Sequence, residues 1–251
     1  KDSDICLELA KRAGIPYEVQ HSHTTADAPQ TVHHVRQQFR ELELQGIRCT
    51  INYPYYKGKR ISMWTLIPLK LMPPTRIMRY CCDILKEQAG KNRMITTGVR
   101  WDESQNRKNR GIYESLAREI KDRIILSNDN DDKRQLFENC RLKAKRVCNP
   151  IIDWLDRDVW DFIQAERLKI NPLYGRGFDR VGCIGCPMAG NKRHFEFRAF
   201  PAYEKMYRNA FARMLEARKA KGKPCDWETQ EDVFRWWMEE DPNQITFDDL
   251  E

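Results

Sequence analysis

Apolar positions along this 251-residue chain change their period several times, and each change marks an element. Ile5-Cys-Leu-Glu-Leu-Ala10 is spaced as a helix that ends near Gly14-Ile-Pro16. Tyr17 to His23 alternates as a strand does, Ala28-Pro29-Gln30 opens a helix through about Leu44, and Arg48 to Tyr53 alternates again. The order helix, strand, helix, strand over the first 53 residues predicts a parallel sheet wound with crossover helices. Ser62 to Leu71 reads as a helix that Met72-Pro-Pro-Thr75 interrupts before a further helix bearing Cys81, Cys82 and Lys86. Strands follow at Arg93–Gly98, Asp122–Leu126 and Arg146–Ile152, with a polar turn at Ser127–Asp132. Asp156 is then expected to cap a helix whose apolar side holds Val159, Trp160, Phe162 and Ile163.

The last quarter changes character. Tyr203, Met206, Tyr207, Ala210, Phe211, Met214 and Leu215 fall at helical spacing on one face, with Lys205, Arg208, Arg213 and Lys219 on the other. A second helix, roughly Glu228–Glu239, carries Val233, Phe234, Trp236 and Trp237 and is expected to pack against the first. The expectation is therefore an α/β domain over residues 1–190, a twisted parallel sheet with helices on both faces, followed by a C-terminal helical extension over 191–251.

Composition narrows the classes. With 41% hydrophobic and 32% charged residues, the chain matches a soluble globular protein rich in surface charge. No apolar run approaches the length of a membrane span, and no signal peptide is present at this start, so a cytoplasmic protein without a membrane partner is expected. The start at Lys1 rather than Met points to a segment upstream. Nine cysteines at irregular spacing argue against a secreted disulfide scaffold and for a reducing compartment. The net charge of +7 is unevenly spread: Arg176 to Pro224 has 12 basic residues against 4 acids, and Cys225 to Glu251 has 10 acids against Arg235 alone. Such a basic block suits a polyanion such as DNA or RNA, and it equally suits a solvated helix face neutralised by the acidic stretch after it.

Four cysteines carry the chemistry. Cys81-Cys82 and the Cys183-Ile-Gly-Cys186-Pro187 stretch together supply the ligand count of a 4Fe-4S cluster or a structural zinc. Adjacent cysteines on a helix point about 100° apart, which favours a cluster with several iron corners over one tetrahedral ion. Four buried, reduced thiols acting as small apolar residues are the bland alternative. Lys86 lies one turn after Cys82 and offers a cation on that face. After the strand that ends at Gly98, Arg100, Arg107 and Arg110 lie where open α/β sheets bind ligands and are candidates for phosphate or sulfate. Lys1-Asp2-Ser3, at the start of the first helix, offers N–H groups, an ammonium and a hydroxyl to an anion. The loop Tyr53-Pro-Tyr-Tyr-Lys-Gly-Lys-Arg60 has the composition of a stacking, phosphate-holding surface, although solvated loops of this kind are common. His21, His23, His33 and His34 lack a matching ligand spacing and are assigned to surface or packing roles.

In order along the chain, the Cys-Cys-x-x-x-Lys stretch, Thr97-Gly98-Val-Arg100 with its arginines, Asn149-Pro-Ile-Ile-Asp-Trp154 leading to Asp158-Val-Trp160, and Asn171-Pro-Leu-Tyr before Cys-x-x-Cys resemble the phosphoadenosine phosphosulfate reductase family from residue 1 to about 190. The resemblance implies the adenine nucleotide α-hydrolase fold, with Lys1, Asp2 and Ser3 as the tail of a pyrophosphate loop. It also implies Cys81, Cys82, Cys183 and Cys186 as ligands of a 4Fe-4S cluster. Reductases of the family need a mobile C-terminal cysteine as nucleophile, whereas Cys225, in Lys-Pro-Cys-Asp-Trp, precedes an ordered-looking helix. The pattern thus points towards relatives that adenylate a substrate with ATP, with Mg²⁺, in sulfur transfer to DNA or RNA. For these a cysteine desulfurase or another sulfur donor would be a partner. A reductase of adenylyl sulfate or its phosphorylated form, and a non-catalytic binding protein, are the alternatives.

Overall fold

The computed structural model describes residues 1–87, 93–104, 107–115 and 146–239. In chain order the helices are α1 (Asp2–Arg12), α2 (Pro29–Glu43), α3 (Met63–Lys70), α4 (Tyr80–Leu85), α5 (Asp156–Ala165), α6 (Lys192–Ala199), α7 (Pro201–Ala220) and α8 (Gln230–Met238). The strands are β1 (Val19–Ser22), β2 (Cys49–Asn52), β3 (Tyr55–Tyr56), β4 (Lys59–Arg60), β5 (Met94–Thr96), β6 (Tyr113–Ser115) and β7 (Arg146–Cys148). The expected strand at Asp122–Leu126 and the turn at Ser127–Asp132 lie outside the described residues.

Two compact units divide the chain, and they interleave rather than split once near residue 190. The first comprises Lys1–His23, Pro29–Tyr53 and Cys82–Val181; the second comprises Thr24–Ala28, Pro54–Cys81 and the stretch from Gly182 onward.

In the first unit β1 pairs parallel with β2, Val19 opposite Cys49 and Ser22 opposite Asn52, across the helix α2. This is the crossover that the early alternation predicts. β5 pairs parallel with β7, Ile95 opposite Val147. The fold is thus mixed α/β with parallel pairs and helices, as expected, plus one departure: β6 runs antiparallel to β7, Glu114 opposite Val147. Helices α1 and α5 pack together around a core of Ile5, Cys6, Ile151, Val159 and Ile163, with Trp154, Trp160 and Phe162 against its edge. At the α5 start the expectation needs correction. Leu155 is the cap residue, and its N–H donates to the Asp158 carboxylate at 2.8 Å. Asp156 is the first helical residue, and its side chain is used elsewhere.

The second unit is helical, apart from the hairpin β3–β4. Ser62 caps α3 by accepting from the Thr65 N–H, and Thr65 Oγ1 accepts from the Ser62 N–H, so both ends of a capping box are closed. On α7 the residues Tyr207, Ala210, Phe211 and Met214 are buried, matching the predicted stripe except at its exposed edge, Met206. α7 packs on α3 and on α8, whose Val233, Phe234 and Trp237 are buried. Trp237 is 4.6 Å from the Tyr207 ring and donates from Nε1 to the Pro74 carbonyl at 2.6 Å. Among the described residues no helix is long and apolar enough to cross a membrane.

Candidate functional site

One candidate centre lies in the first unit, at the start of α1. Lys1 Nζ and Arg100 Nη2 both bind Asp156 Oδ1, at 2.5 and 3.0 Å. Arg100 Nε donates to Asp2 Oδ1 at 3.0 Å, its Nη1 lies 3.7 Å from Asp102, and Asp102 accepts the Asp156 N–H at 2.9 Å. Both cations are buried, with side chains only 6% and 5% exposed, so these ion pairs fix their positions. The Asp156 carboxyl is held below its ordinary range chiefly by the Lys1 hydrogen bond, against burial, with Arg100 adding to the effect. Its Oδ2 accepts the Trp160 Nε1–H at 3.1 Å; Lys1 Nζ sits 5.4 Å from the Trp160 ring, and Tyr174 meets that ring edge-on at 5.7 Å.

Gly98 brings the β5 end to this place. A Cβ on Gly98 would lie 2.7 Å from Asp2 Cβ and 3.0 Å from the Asp2 carbonyl carbon, so only glycine lets the loop come so close to α1. Lys1, Asp2 and Arg100 are therefore brought together as predicted residues, with Asp156 as the member that sequence reasoning assigned to capping. Ser3 is exposed on the first turn of α1.

Arg107 and Arg110 are engaged otherwise. Arg107 pairs with Glu103. Arg110 Nε donates at 2.6 Å to Glu114 Oε1, which also accepts from the Gly111 N–H and from Asn149 Nδ2. Glu114 and Asn149 are buried, and Asn149 Oδ1 in turn bonds Thr97. This network ties the loop after β5 to β6 and β7. It makes Arg110 a brace of the loop, where sequence reasoning placed an anion contact. Lys86 is exposed just past the end of α4. Its N–H donates to the Cys82 carbonyl at 2.9 Å, preserving the one-turn spacing, and its carbonyl accepts from Ser22 Oγ.

The cysteine site belongs chiefly to the second unit. The eight described cysteines are all thiols, outside any disulfide. Burial pushes the Tyr207 phenol well above its ordinary range, and negative charge on Cys183, Cys81, Cys186 and Glu196 adds to the effect. Cys82 follows Cys81 on α4 and is counted with the first unit.

Two elements clamp the Cys183–Cys186 loop. On one side the segment Thr24–Ala28 pairs with it: Ile184 N–H donates to the Ala26 carbonyl at 2.8 Å, and Cys183 Sγ donates to Thr24 Oγ1 at 3.3 Å. Asp27 Oδ2 accepts the Thr24 N–H, and Tyr203 donates to the Asp27 carbonyl. On the other side the buried Glu196 accepts the Gly185 N–H at 2.7 Å, and the Tyr207 hydroxyl donates to the Ile184 carbonyl at 3.0 Å. Gly185 has φ +72°, and a Cβ there would lie 2.5 Å from Phe197 and 2.8 Å from Tyr207. Sequence reasoning missed Gly185, Glu196, Tyr207 and the Thr24–Ala28 segment; the second glycine in Gly-Cys-Ile-Gly-Cys was the available signal.

Reduced thiols on a braced loop are the donor chemistry that an iron–sulfur cluster takes. Cys225 is different. It is exposed in the turn between α7 and α8, and its Sγ donates to the Trp227 carbonyl at 3.5 Å.

Comparison with known proteins bears on both places. The family description "phosphoadenosine phosphosulfate reductase domain" matches residues 1–189. An uncharacterized protein of Methanocaldococcus jannaschii is 27% identical over 241 residues, 94% of this chain and 49% of that protein. Adenosine 5'-phosphosulfate reductases are similar over shorter stretches: that of Burkholderia cepacia is 34% identical over 59 residues, 23% of this chain and 24% of its own, and that of Allochromatium vinosum 42% over 41 residues, 16% of each. The chain thus spans about half the length of the first of these relatives and smaller parts of the others.

Proposed function

Because the chain belongs to the phosphoadenosine phosphosulfate reductase family, we propose that it is an iron–sulfur enzyme of sulfur transfer that adenylates its acceptor with ATP and releases pyrophosphate, with nucleic acid as the acceptor class. The observation that carries this reading is the convergence of Lys1 and Arg100 on one carboxylate oxygen beside the first turn of α1. Two buried cations and the N–H groups of a helix start are the equipment that holds a nucleotide phosphate, and Asp156 occupies their donors until one arrives.

In this scheme an acceptor oxygen attacks the α-phosphorus of ATP, the bond to the β-phosphate oxygen breaks, and pyrophosphate leaves. A sulfur nucleophile then attacks the atom that bears the adenylated oxygen, a nucleobase carbon or a backbone phosphorus, and AMP leaves with that oxygen. Arg100 and Lys1 would stabilise the charge that develops on the phosphates, Asp2 would hold Mg²⁺, and Ser3 would donate to a phosphate oxygen. Arg107 adds a cation to the loop mouth, and Arg110 holds that loop in place through Glu114. Cys81, Cys82, Cys183 and Cys186 would hold the 4Fe-4S cluster, which when bound would supply a site for sulfur; Lys86, one turn after Cys82, is the cation that would tie the surroundings of the cluster to the anion. A cysteine desulfurase or similar donor is the sulfur source this chemistry requires.

The reductase activity named for the shorter matches requires a thiol that reaches the sulfate sulfur. Within these residues Cys225 is the late thiol, and its Sγ donates to the Trp227 carbonyl ahead of helix α8. The deciding experiment is anaerobic purification of the full-length protein, iron and sulfide analysis, and a pyrophosphate assay with ATP, with and without DNA or RNA. Pyrophosphate release that falls on Arg100→Ala supports the reading. Sulfite release from adenylyl sulfate with a thiol reductant, lost on Cys225→Ser, overturns it.

A further inference from the structure

Lys1 and Arg100 are fixed, whereas the carboxylate they share is not. The side chains of the two cations are 6% and 5% exposed, and that of Asp156 is 55% exposed. Arg100 is also held by Asp2 on Nε at 3.0 Å and by Asp102 beside Nη1 at 3.7 Å, so its place does not depend on Asp156 alone. Asp156 is therefore the member of this cluster able to give way to an entering anion.

The backbone beneath Asp156 is pinned. Its N–H donates to Asp102 Oδ2 at 2.9 Å, and the neighbouring Leu155 N–H donates to Asp158 Oδ2 at 2.8 Å. Val159 and Ile163, further along α5, are buried in the core with Ile5 and Cys6 of α1. With the first turn of α5 secured in this way, Asp156 leaves the cations by rotating its side chain, and a rotation about Cα–Cβ carries both carboxylate oxygens away together.

Trp160 resists that rotation. It lies four residues on, hence on the same face of α5, and its Nε1–H donates to Asp156 Oδ2 at 3.1 Å while Oδ1 takes Lys1 and Arg100. The indole is itself set between two neighbours, with Lys1 Nζ 5.4 Å from its ring and Tyr174 edge-on at 5.7 Å. One carboxylate thus accepts from two cations at one oxygen and from a ring N–H at the other, and all of these bonds break in a single rotation.

We infer that Trp160 is a positioning residue whose N–H latches the Asp156 carboxylate over Lys1 and Arg100, and so sets how readily a phosphate chain takes their donors. It acts through Asp156 and not on the phosphate. The inference rests on the proposed phosphate site and names the residue that regulates entry to it.

The test is isothermal titration calorimetry of inorganic tripolyphosphate into the full-length protein, without ATP or divalent metal, on the unaltered protein, Trp160→Phe, Asp156→Ala and the double variant. Trp160→Phe keeps a ring beside Tyr174 and Lys1 and removes the donor. It is expected to tighten binding about threefold to tenfold, the worth of one hydrogen bond to a partly exposed carboxylate. Asp156→Ala is expected to tighten it roughly tenfold or more, because both cations lose their resident partner. In the Asp156→Ala background Trp160→Phe is expected to change the affinity by less than about twofold, which a purely structural role of the ring would not produce. Binding that Trp160→Phe weakens or leaves unchanged, or a Trp160→Phe effect that persists undiminished beside Asp156→Ala, overturns the inference; weakening would put the indole N–H on the phosphate itself. Tripolyphosphate that binds neither the unaltered protein nor Asp156→Ala overturns it together with the phosphate reading of the site. Pyrophosphate release from ATP, measured separately with Mg²⁺, reports on adenylation alone, so the two failures are told apart.

Discussion

Gly185→Ala tests whether the cysteine loop is clamped as tightly as described. At φ +72° any side chain costs about 1–2 kcal/mol relative to glycine. The added methyl also lands 2.5 Å from Phe197 Cζ and 2.8 Å from Tyr207 Cε2. Neither ring can yield cheaply: both are buried, Phe197 lies against Phe234 and Trp237, and the Tyr207 hydroxyl is committed to the Ile184 carbonyl. Overpacking of this kind adds about 1–3 kcal/mol, for a total of about 2–5 kcal/mol. Gly222→Ala provides the internal control, because its φ is also positive, +61°, yet a Cβ there meets nothing within 4 Å. Urea denaturation followed by tryptophan fluorescence, with calorimetry beside it, should show Gly222→Ala losing only the backbone share. Gly185→Ala should lose at least about 4 °C in Tm. Equal losses in the two variants would refute the close approach of Phe197 and Tyr207 to the loop.

Arg100→Ala removes donors to Asp2 and Asp156 at once and should destabilise the first unit by about 2 kcal/mol, read by hydrogen exchange at α1 and α5, with Arg100→Lys only partly restoring it because one ammonium cannot bridge both carboxylates. The lowered Asp156 carboxyl contributes stability that is complete above its unfolded value, near 3.8, and lost as pH falls through the lower folded value; Asp156→Asn should flatten that acid limb in a pH series of urea midpoints. Trp237→Phe leaves the buried Pro74 carbonyl without its 2.6 Å donor and should cost about 1–3 kcal/mol in the same denaturation assay. Burial raises the Cys6 thiol to about 12, so mass-spectrometric alkylation of the native protein should label exposed Cys225 well before Cys6.

What the sequence disclosed follows from what periodicity can encode. The α7 stripe from Tyr207 to Met214 and the α8 face of Val233, Phe234 and Trp237 were legible because burial alone dictates their spacing. The parallel pair β1–β2 was legible because a helix of crossover length separates two alternating runs. Strand β6 was not: Tyr113-Glu-Ser has no alternation to read, and it is held by pairing with β7 and by the Glu114 bond to Arg110. Composition counts a guanidinium without saying where it points, so Arg193 and Arg218 were counted in the basic block 176–224 although both are buried. Asp156 sits where caps usually sit, and only the arrival of Lys1 and Arg100, from positions 155 and 56 residues away along the chain, gives its carboxylate another task. Thr24–Ala28 carried no motif, because its work on the Cys183–Cys186 loop is done mostly through its backbone.

The shared Asp156 oxygen has a consequence for selectivity. A carboxylate already seated on Lys1 and Arg100 acts as a tethered competitor at high local concentration, so a visitor gains only the difference between its own attraction and the one it displaces. Chloride or a lone carboxylate offers no surplus over the resident group. Under the proposed function a chain of phosphates, with more charge and more acceptors than one aspartate, would offer that surplus, and the exchange would set a threshold against small anions while both cations stay neutralised on Asp156.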